Sequence, residues 1–433
     1  MIAPARRAAV DALAVIDAGD LDMGSAIARA RAGLTDERDR ALLLELVTGT
    51  LRMQAALDYQ LSRRVKRPLE KLDAAVLRVL RMSAFQLVYL SRQPASAVIN
   101  DAVELTRRSG KTSAAGLTNA VLRSLARERE ALSWPSRANL LEHLSVVHSH
   151  PGWLVERWLG RYGEASTEAW LAFNNQPAAM CLAVNRHLTT REAAARELAD
   201  AGVVTTPTER AAHGLRVIEG RALSTAAFVE GRVIVQDEAS QLIAELVSPP
   251  AGAVALDLCA SPGGKTLAIS AAVGAGGVVI ASDVRAPRVR LLASTLGRCR
   301  VPNAKVVHVP AEGPLPFTPD IFDFILIDAP CSGLGTVRRD PDIRWRRSPD
   351  DLPRFAAAQH ELLSRAAGLV KPGGRLLYST CSSEPEENED VVAAFLGVRA
   401  DFSQERTHQT LPFRDGLEAF YGSVLRRTSV ERT

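Results

Sequence analysis

The sequence predicts a multidomain chain: an all-α domain over residues 1–135, a small α/β linker domain over 136–225, and an α/β domain over 226–433. Three observations carry this. The first 135 residues are rich in Ala, Leu and Arg with few turn formers, a composition that favours helices. Trp134-Pro135-Ser136 interrupts that pattern, and the composition beyond it is mixed. From about residue 226, short apolar runs alternate with helical stretches, as in a parallel sheet covered on both faces. A chain of 433 residues, 47% of them hydrophobic, has room for two or three domains with sizeable cores.

In the front domain, Ala41-Leu42-Leu43-Leu44-Glu45-Leu46-Val47 and Ala74-Ala75-Val76-Leu77-Arg78-Val79-Leu80 are apolar runs with polar interruptions. Thr35-Asp36-Glu37-Arg38 resembles a helix start, with Thr35 as the cap and carboxylates in the first turn. Pro68 and Pro94 mark turns or helix starts. In the linker, Met180-Cys181-Leu182-Ala183-Val184 reads as a strand, and 191–201 as a helix stopped by Gly202. In the last domain, strands are predicted at 233–235, 254–258, 278–282, 305–309, 324–327 and 375–379, with helices at 287–296 and 352–370. Lys371-Pro372-Gly373-Gly374 is read as the turn before the last of these strands.

Net charge is +4, unevenly distributed. Residues 1–135 hold 21 Lys and Arg against 15 Asp and Glu, while the remainder holds 32 against 34. A basic front module suits a polyanionic partner, and a solvated helical surface is the plain alternative. No apolar run reaches the roughly 18 residues of a membrane span. The N-terminus lacks the apolar core of a signal peptide. Five cysteines without framework spacing suggest reduced thiols in a cytoplasmic setting.

The most informative segment is Asp257-Leu258-Cys259-Ala260-Ser261-Pro262-Gly263-Gly264-Lys265-Thr266. It follows the apolar run Val254-Ala255-Leu256 and precedes a helical stretch, so a strand ends in a Gly-rich turn that opens a helix. Such turns hold nucleotide-like ligands at the carboxyl edge of a parallel sheet. Gly264-Lys265-Thr266 looks like the end of a phosphate-binding P-loop, but the Gly required five positions before Gly264 is Cys259. A methyl-donor site fits better. Gly263 and Gly264 allow close backbone approach, and Asp283, after the next strand, is placed for ribose hydroxyls. A helix-capping role is the alternative for Asp283.

Cys331, in Asp328-Ala329-Pro330-Cys331-Ser332, and Cys381, in Tyr378-Ser379-Thr380-Cys381-Ser382, each follow a predicted strand. Their loops should share the carboxyl edge of one sheet. A thiolate that adds to carbon 6 of a pyrimidine makes carbon 5 nucleophilic toward an electrophilic methyl group, and a second group must remove the carbon 5 proton. Asp328, Cys331 and Cys381 are the right chemical types, but the residues alone do not say which thiol attacks. Cys181 and Cys299 read as small buried hydrophobes, and Cys259 as a packing residue of its loop. Arg338-Arg339-Asp340-Pro341-Asp342-Ile343-Arg344-Trp345-Arg346-Arg347 offers arginines for phosphates and Trp345 for base stacking, or is a mixed-charge surface loop.

These residues resemble the Sun/Fmu/RsmB family of 16S rRNA cytosine-C5 methyltransferases, and the resemblance runs nearly end to end. Leu117-Thr118-Asn119-Ala120-Val121-Leu122-Arg123 resembles the NusB-like front domain. Pro151-Gly152-Trp153-Leu154-Val155 and Leu182-Ala183-Val184-Asn185-Arg186 resemble the linker. Val235-Gln236-Asp237-Glu238-Ala239-Ser240-Gln241 resembles the entry to the catalytic domain, and Leu411-Pro412, Arg414-Asp415-Gly416 and Phe420-Tyr421 its closing motif. The resemblance implies an all-α NusB-like RNA-binding domain, a small α/β linker and a Rossmann-like class I methyltransferase domain. It implies S-adenosyl-L-methionine on Cys259, Ala260, Ser261, Pro262, Gly263, Gly264 and Lys265, with Asp283 at the ribose. It implies Cys381 as nucleophile, Cys331 assisting product release, and Asp328 facing both donor and base, with Lys265 beside them. Glu312 is the candidate for the adenine-side acid, and Ser261 replaces a frequent Ala of the family.

The expected partner is small-subunit ribosomal RNA, with no membrane and no metal, and the chain is read as a monomer. Methylation of transfer RNA by the same machinery and a non-catalytic RNA-binding or antitermination factor are the alternatives.

Overall fold

The computed structural model describes residues 2–429. They form two compact units. One comprises the described residues up to Gln176 together with Val337–Arg347, and the other comprises Pro177–Thr336 and the described residues from Ser348.

The first unit is helical: α1 (Pro4–Asp17), α2 (Met23–Ala32), α3 (Glu37–Arg52), α4 (Gln54–Ser62), α5 (Ala74–Tyr89), α6 (Ala95–Arg108), α7 (Ala115–Glu128), α8 (Leu140–Val147) and α9 (Gly152–Asn175). Side-chain caps start several helices. Asp22, Asp36 and Asp73 accept from the backbone N–H groups of Ser25, Arg38 and Ala75, pairing donors that a helix N-terminus leaves orphaned. The cap of α3 is thus Asp36 and not Thr35. Leu43, Leu46, Val47, Val76, Val79, Leu80, Val121 and Leu122 share one core. Gly49 lets α3 lie against α5, since a Cβ there would stand 1.9 Å from Phe85 Cζ. In α9, Trp158 and Trp170 stack with ring centroids 4.1 Å apart.

The segment Val337–Arg347 lies in this helical unit and forms the four-residue helix α15 (Ile343–Arg346). Arg344 is fully buried and donates to Ser149 O at 2.9 Å, Asn175 Oδ1 at 3.0 Å and Asn174 O at 3.4 Å. Trp345 Nε1 donates to Leu51 O at 2.6 Å. This corrects the sequence expectation for Arg344, which holds the segment to the helices and does not face a phosphate, whereas Trp345 is half-buried and Arg346 is exposed.

The second unit contains two sheets. Strands β1 (Cys181–Val184), β2 (Val204–Pro207), β3 (Gly214–Glu219) and β4 (Val233–Val235) form an antiparallel sheet in the order β2-β3-β1-β4. Helices α10 (Arg191–Asp200) and α11 (Ala226–Val229) accompany it. Strand 233–235 therefore pairs with β1 and not with the large sheet. The large sheet has the order β10-β11-β9-β8-β5-β6-β7. Its strands are β5 (Val254–Asp257), β6 (Val278–Asp283), β7 (Ala304–His308), β8 (Phe322–Asp328), β9 (Val370–Thr380), β10 (Phe402–Thr410) and β11 (Phe420–Arg427). Helices α12 (Glu238–Glu245), α13 (Gly264–Val273), α14 (Ala286–Arg298), α16 (Asp351–Ala367), α17 (Glu389–Val398) and α18 (Pro412–Asp415) complete the unit.

The five strands β5 to β9 pair in parallel, whereas β10 and β11 are antiparallel additions. The sheet is mixed, not wholly parallel as expected. Lys371 to Gly374 lie inside β9, where the register with β8 shifts, so the expected turn is an irregularity within the strand. Two apolar clusters, one with Leu256, Ile325, Ile327 and Leu376 and one with Ala255, Phe324, Leu326 and Leu377, cover opposite faces. Successive side chains of a strand alternate between faces, which is why Phe324-Ile325-Leu326-Ile327 within β8 reads as an unbroken apolar run.

Candidate active site

Strand order reverses beside β5, which lies between β6 and β8. Open α/β sheets bind ligands at the carboxyl ends of strands flanking such a switch point. The loop after β5 runs from Asp257, fully buried, to Gly263, which takes φ 114° as the residue before α13. Gly264 packs close to Gln236, whose Cδ would be 3.0 Å from an added Cβ. Both glycines predicted for close approach therefore occupy tight or left-handed positions.

Thr266 Oγ1 donates to Asp257 Oδ2 at 2.7 Å, tying the first turn of α13 back to the end of β5. Burial pushes the Asp257 carboxyl up to about 7, Thr266 opposes the shift, and the charge of Asp328 adds to it. Burial, with the neighbouring Asp257, Asp328 and Asp283, pushes the Cys259 thiol up, so Cys259 stays protonated. Asp283 ends β6 nearly buried. Arg288 Nε lies 3.1 Å from Asp283 Oδ2, and its Nη2 donates to Ser261 O at 2.7 Å. Glu312 is exposed on the bend after β7, and the bonds that join these loops do not include it.

Strands β8 and β9 run parallel with Asp328 opposite Ser379. Asp328 receives Ser379 Oγ at 3.0 Å on one oxygen and Lys265 Nζ at 2.7 Å on the other. Lys265 is itself buried and stands 5.6 Å over the Phe420 ring. Three residues past Asp328 and one past β9, the sulfurs of Cys331 and Cys381 approach to 3.2 Å. The hydrogen bond with Cys381, then burial, the Cys381 charge and Glu387, push the Cys331 thiol well above its ordinary value. Cys181, in β1, and Cys299, just after α14, are buried, as expected.

The arrangement joins a Gly-rich loop at the carboxyl edge of the sheet, a Lys–carboxylate pair and two thiols in contact. Residues 244–424 match the family model described as 16S rRNA methyltransferase RsmB/F, residues 3–127 match the NusB family, and residues 150–224 match the RsmF/B-like ferredoxin-like domain. The ribosomal RNA small subunit methyltransferase B of Pseudomonas putida is 35% identical over 442 residues, spanning 99% of both chains. That of Vibrio cholerae is 35% identical over 417 residues, 94% of each. The chain belongs to the RsmB/F family of 16S rRNA methyltransferases. A solved structure, PH0851, superposes with a TM-score of 0.84 at 26% identity and covers 99% of both chains. The NusB helical domain, the small ferredoxin-like domain and the Rossmann-like mixed sheet are those of this family.

Within this RsmB/F site, the structure adds residues that the motifs did not single out. Arg288 links the loop to Asp283. Glu387, fully buried, receives Ser332 N at 2.7 Å, Gln359 Nε2 at 3.1 Å, and the hydroxyls of Ser332 and Ser382, each at 2.5 Å. The sequence signal was present as Glu386-Glu387-Asn388 shortly after Cys381, but a run of acids reads first as a solvated surface.

Proposed function

We propose that this protein transfers a methyl group from S-adenosyl-L-methionine to carbon 5 of a cytosine in 16S rRNA, through a covalent bond between Cys381 and the base. The observation that carries the proposal is the 3.2 Å contact between Cys331 and Cys381, beside the Lys265–Asp328 pair. The residues present fit such a donor. Asp257 Oδ1 and Ser261 Oγ are buried without a hydrogen-bond partner in the loop, and the backbone there turns through a left-handed glycine. On this reading the loop Cys259 to Lys265 holds the donor and Asp283 receives its ribose hydroxyls. Bound there, the donor supplies an electrophilic methyl carbon.

The Cys381 thiolate adds to carbon 6 of the cytosine, and carbon 5 becomes nucleophilic. Asp328, held by Lys265 and Ser379, is oriented toward the base. Carbon 5 takes the methyl group, and Cys331, having given its own proton to solvent, then takes the carbon 5 proton as a thiolate; the electron pair of that C–H bond reforms the carbon 5–carbon 6 double bond, and Cys381 leaves carbon 6 as a thiolate. The geometry supports this assignment. The two sulfurs are 3.2 Å apart, so Cys331 stands beside the bond that Cys381 would make.

Cys381→Ala is expected to lower methyl incorporation on the order of 10⁴-fold or more. Cys331→Ala is expected to accumulate an RNA–protein adduct, seen as a retarded band on a denaturing gel. Normal turnover by Cys381→Ala overturns the nucleophile assignment. Mapping 5-methylcytosine with and without the gene tests the substrate: loss confined to transfer RNA overturns the choice of 16S rRNA.

A further inference from the structure

The two thiol loops leave neighbouring strands separately, yet their sulfurs meet at 3.2 Å. Backbone pairing of β8 with β9 ends at Asp328 and Ser379, before either cysteine. The residue after each cysteine is a buried serine, Ser332 or Ser382, and both hydroxyls point at one oxygen of Glu387 at 2.5 Å. The other oxygen receives Ser332 N at 2.7 Å and Gln359 Nε2 at 3.1 Å. Four donors therefore converge on two oxygens. A carboxylate is the side chain that accepts all four, because it carries no donor of its own.

The acceptor is in turn held in place. Tyr378 Oη donates to Glu387 O at 2.5 Å, and Gln359 Nε2 reaches back to Pro330 O at 3.0 Å, just before Cys331. Thr380 Oγ1 bonds Asn388 Oδ1 at 2.5 Å, and Asn388 Nδ2 donates to Ser382 O at 3.0 Å, on the Cys381 side. Every side chain in this network is buried, so each bond is made in a low-dielectric setting where its loss is costly.

We propose that Glu387 is a positioning residue that sets the distance between Cys331 and Cys381 by clamping Ser332 and Ser382 to a single carboxylate. The proposal rests on the methyltransferase reading for its consequence, but its geometry does not. The clamp keeps the Cys331 sulfur within reach of the carbon atom next to the one that Cys381 attacks. A displacement of about 1 Å at such a pair lowers a rate by about 10²-fold.

The test uses the full chain and a short bis-alkylating thiol reagent, dibromobimane, with the product read by peptide mass spectrometry. The native protein is expected to yield a Cys331–Cys381 cross-link. Glu387→Gln places an amide donor against groups that already donate, and is expected to lower the cross-linking rate about tenfold. Its kcat for methyl incorporation should fall about 10²-fold, with KM for donor and RNA within about twofold of native. Glu387→Gln that cross-links and turns over at native rates overturns the clamp. If Glu387→Gln does not fold, Ser382→Ala and Ser332→Ala each remove one strut, and native cross-linking by both overturns it equally. A native protein that cross-links but methylates no RNA, beside variants that do not cross-link, defeats the methyltransferase reading and supports the clamp.

Discussion

At Asp257 a carboxyl group ends β5 with no exposure and one hydrogen bond, from Thr266. Its pKa of about 7 lies well above the roughly 3.9 of an unfolded Asp. The folded chain therefore holds this proton more tightly than the unfolded one, and stability falls as pH rises from about 4 to about 7. Between pH 5 and pH 8 this single group should cost about 2–3 kcal/mol of unfolding free energy. Urea titrations at the two pH values check it, and Asp257→Asn should remove this contribution to the slope. A slope unchanged in the variant would show that Asp257 is ionised in both states. The residue was legible in the sequence as the start of the Gly-rich loop. Its protonation was not, because that depends on burial and on Asp328, a partner from another strand. The same holds for the thiols. Sequence spacing singled out Cys331 and Cys381 among five cysteines, but their difference in environment comes from their mutual contact and from Glu387.

Among the elements, those with a local signature were legible. Strand β5, the turn after it and helix α13 form one continuous pattern of apolar run, glycines and helix formers. Strands β10 and β11 were not. In β10 only the two end residues, Phe402 and Thr410, are buried, so the segment shows none of the alternation that marks a half-buried strand. It is held by pairing to β11, which depends on chain brought from elsewhere. Val233 to Val235 carried a strand signal, but a three-residue strand does not declare which sheet it joins. The short 3₁₀ turn at Leu334 to Thr336 gives a prediction at this scale. Gly335 N donates to Cys381 O at 3.0 Å, and Gly335 O accepts from Ala419 N at 3.1 Å. A Cβ at Gly335 would stand 2.0 Å from Ala419 O and 2.7 Å from Cys381 O. Both obstacles are backbone, so Gly335→Ala should destabilise the protein by about 1–3 kcal/mol. Thermal or urea unfolding measures this, and native stability in the variant would mean that the turn has room to shift.

For the molecule as a whole, the order of a helical front and a strand–helix C-terminal part was readable from composition, yet one excursion was not. Val337–Arg347 is flanked in sequence by the second unit but folds with the first. Arg344 anchors it, and burial pushes its guanidinium well below the usual range. Arg344→Ala leaves Ser149 O, Asn174 O and Asn175 Oδ1 without their donor, a loss of about 1–3 kcal/mol. Local opening of the segment should rise accordingly, by about tenfold or more. Trypsin cleavage within residues 338–347, followed by mass spectrometry, reads this directly, and cleavage at the native rate would show that Arg344 is not the anchor. Alone, the sequence determined the order of helical and α/β segments, the Gly-rich loop after β5 and the two thiol-bearing turns, because each is written in residues adjacent along the chain. Only the tertiary structure decided that Lys265 meets Asp328 across 63 positions, that two sulfurs touch across 50, and that Glu387 lies beneath both thiol loops. Those meetings depend on strand register and on the packing of α16 and α17, which local periodicity leaves open.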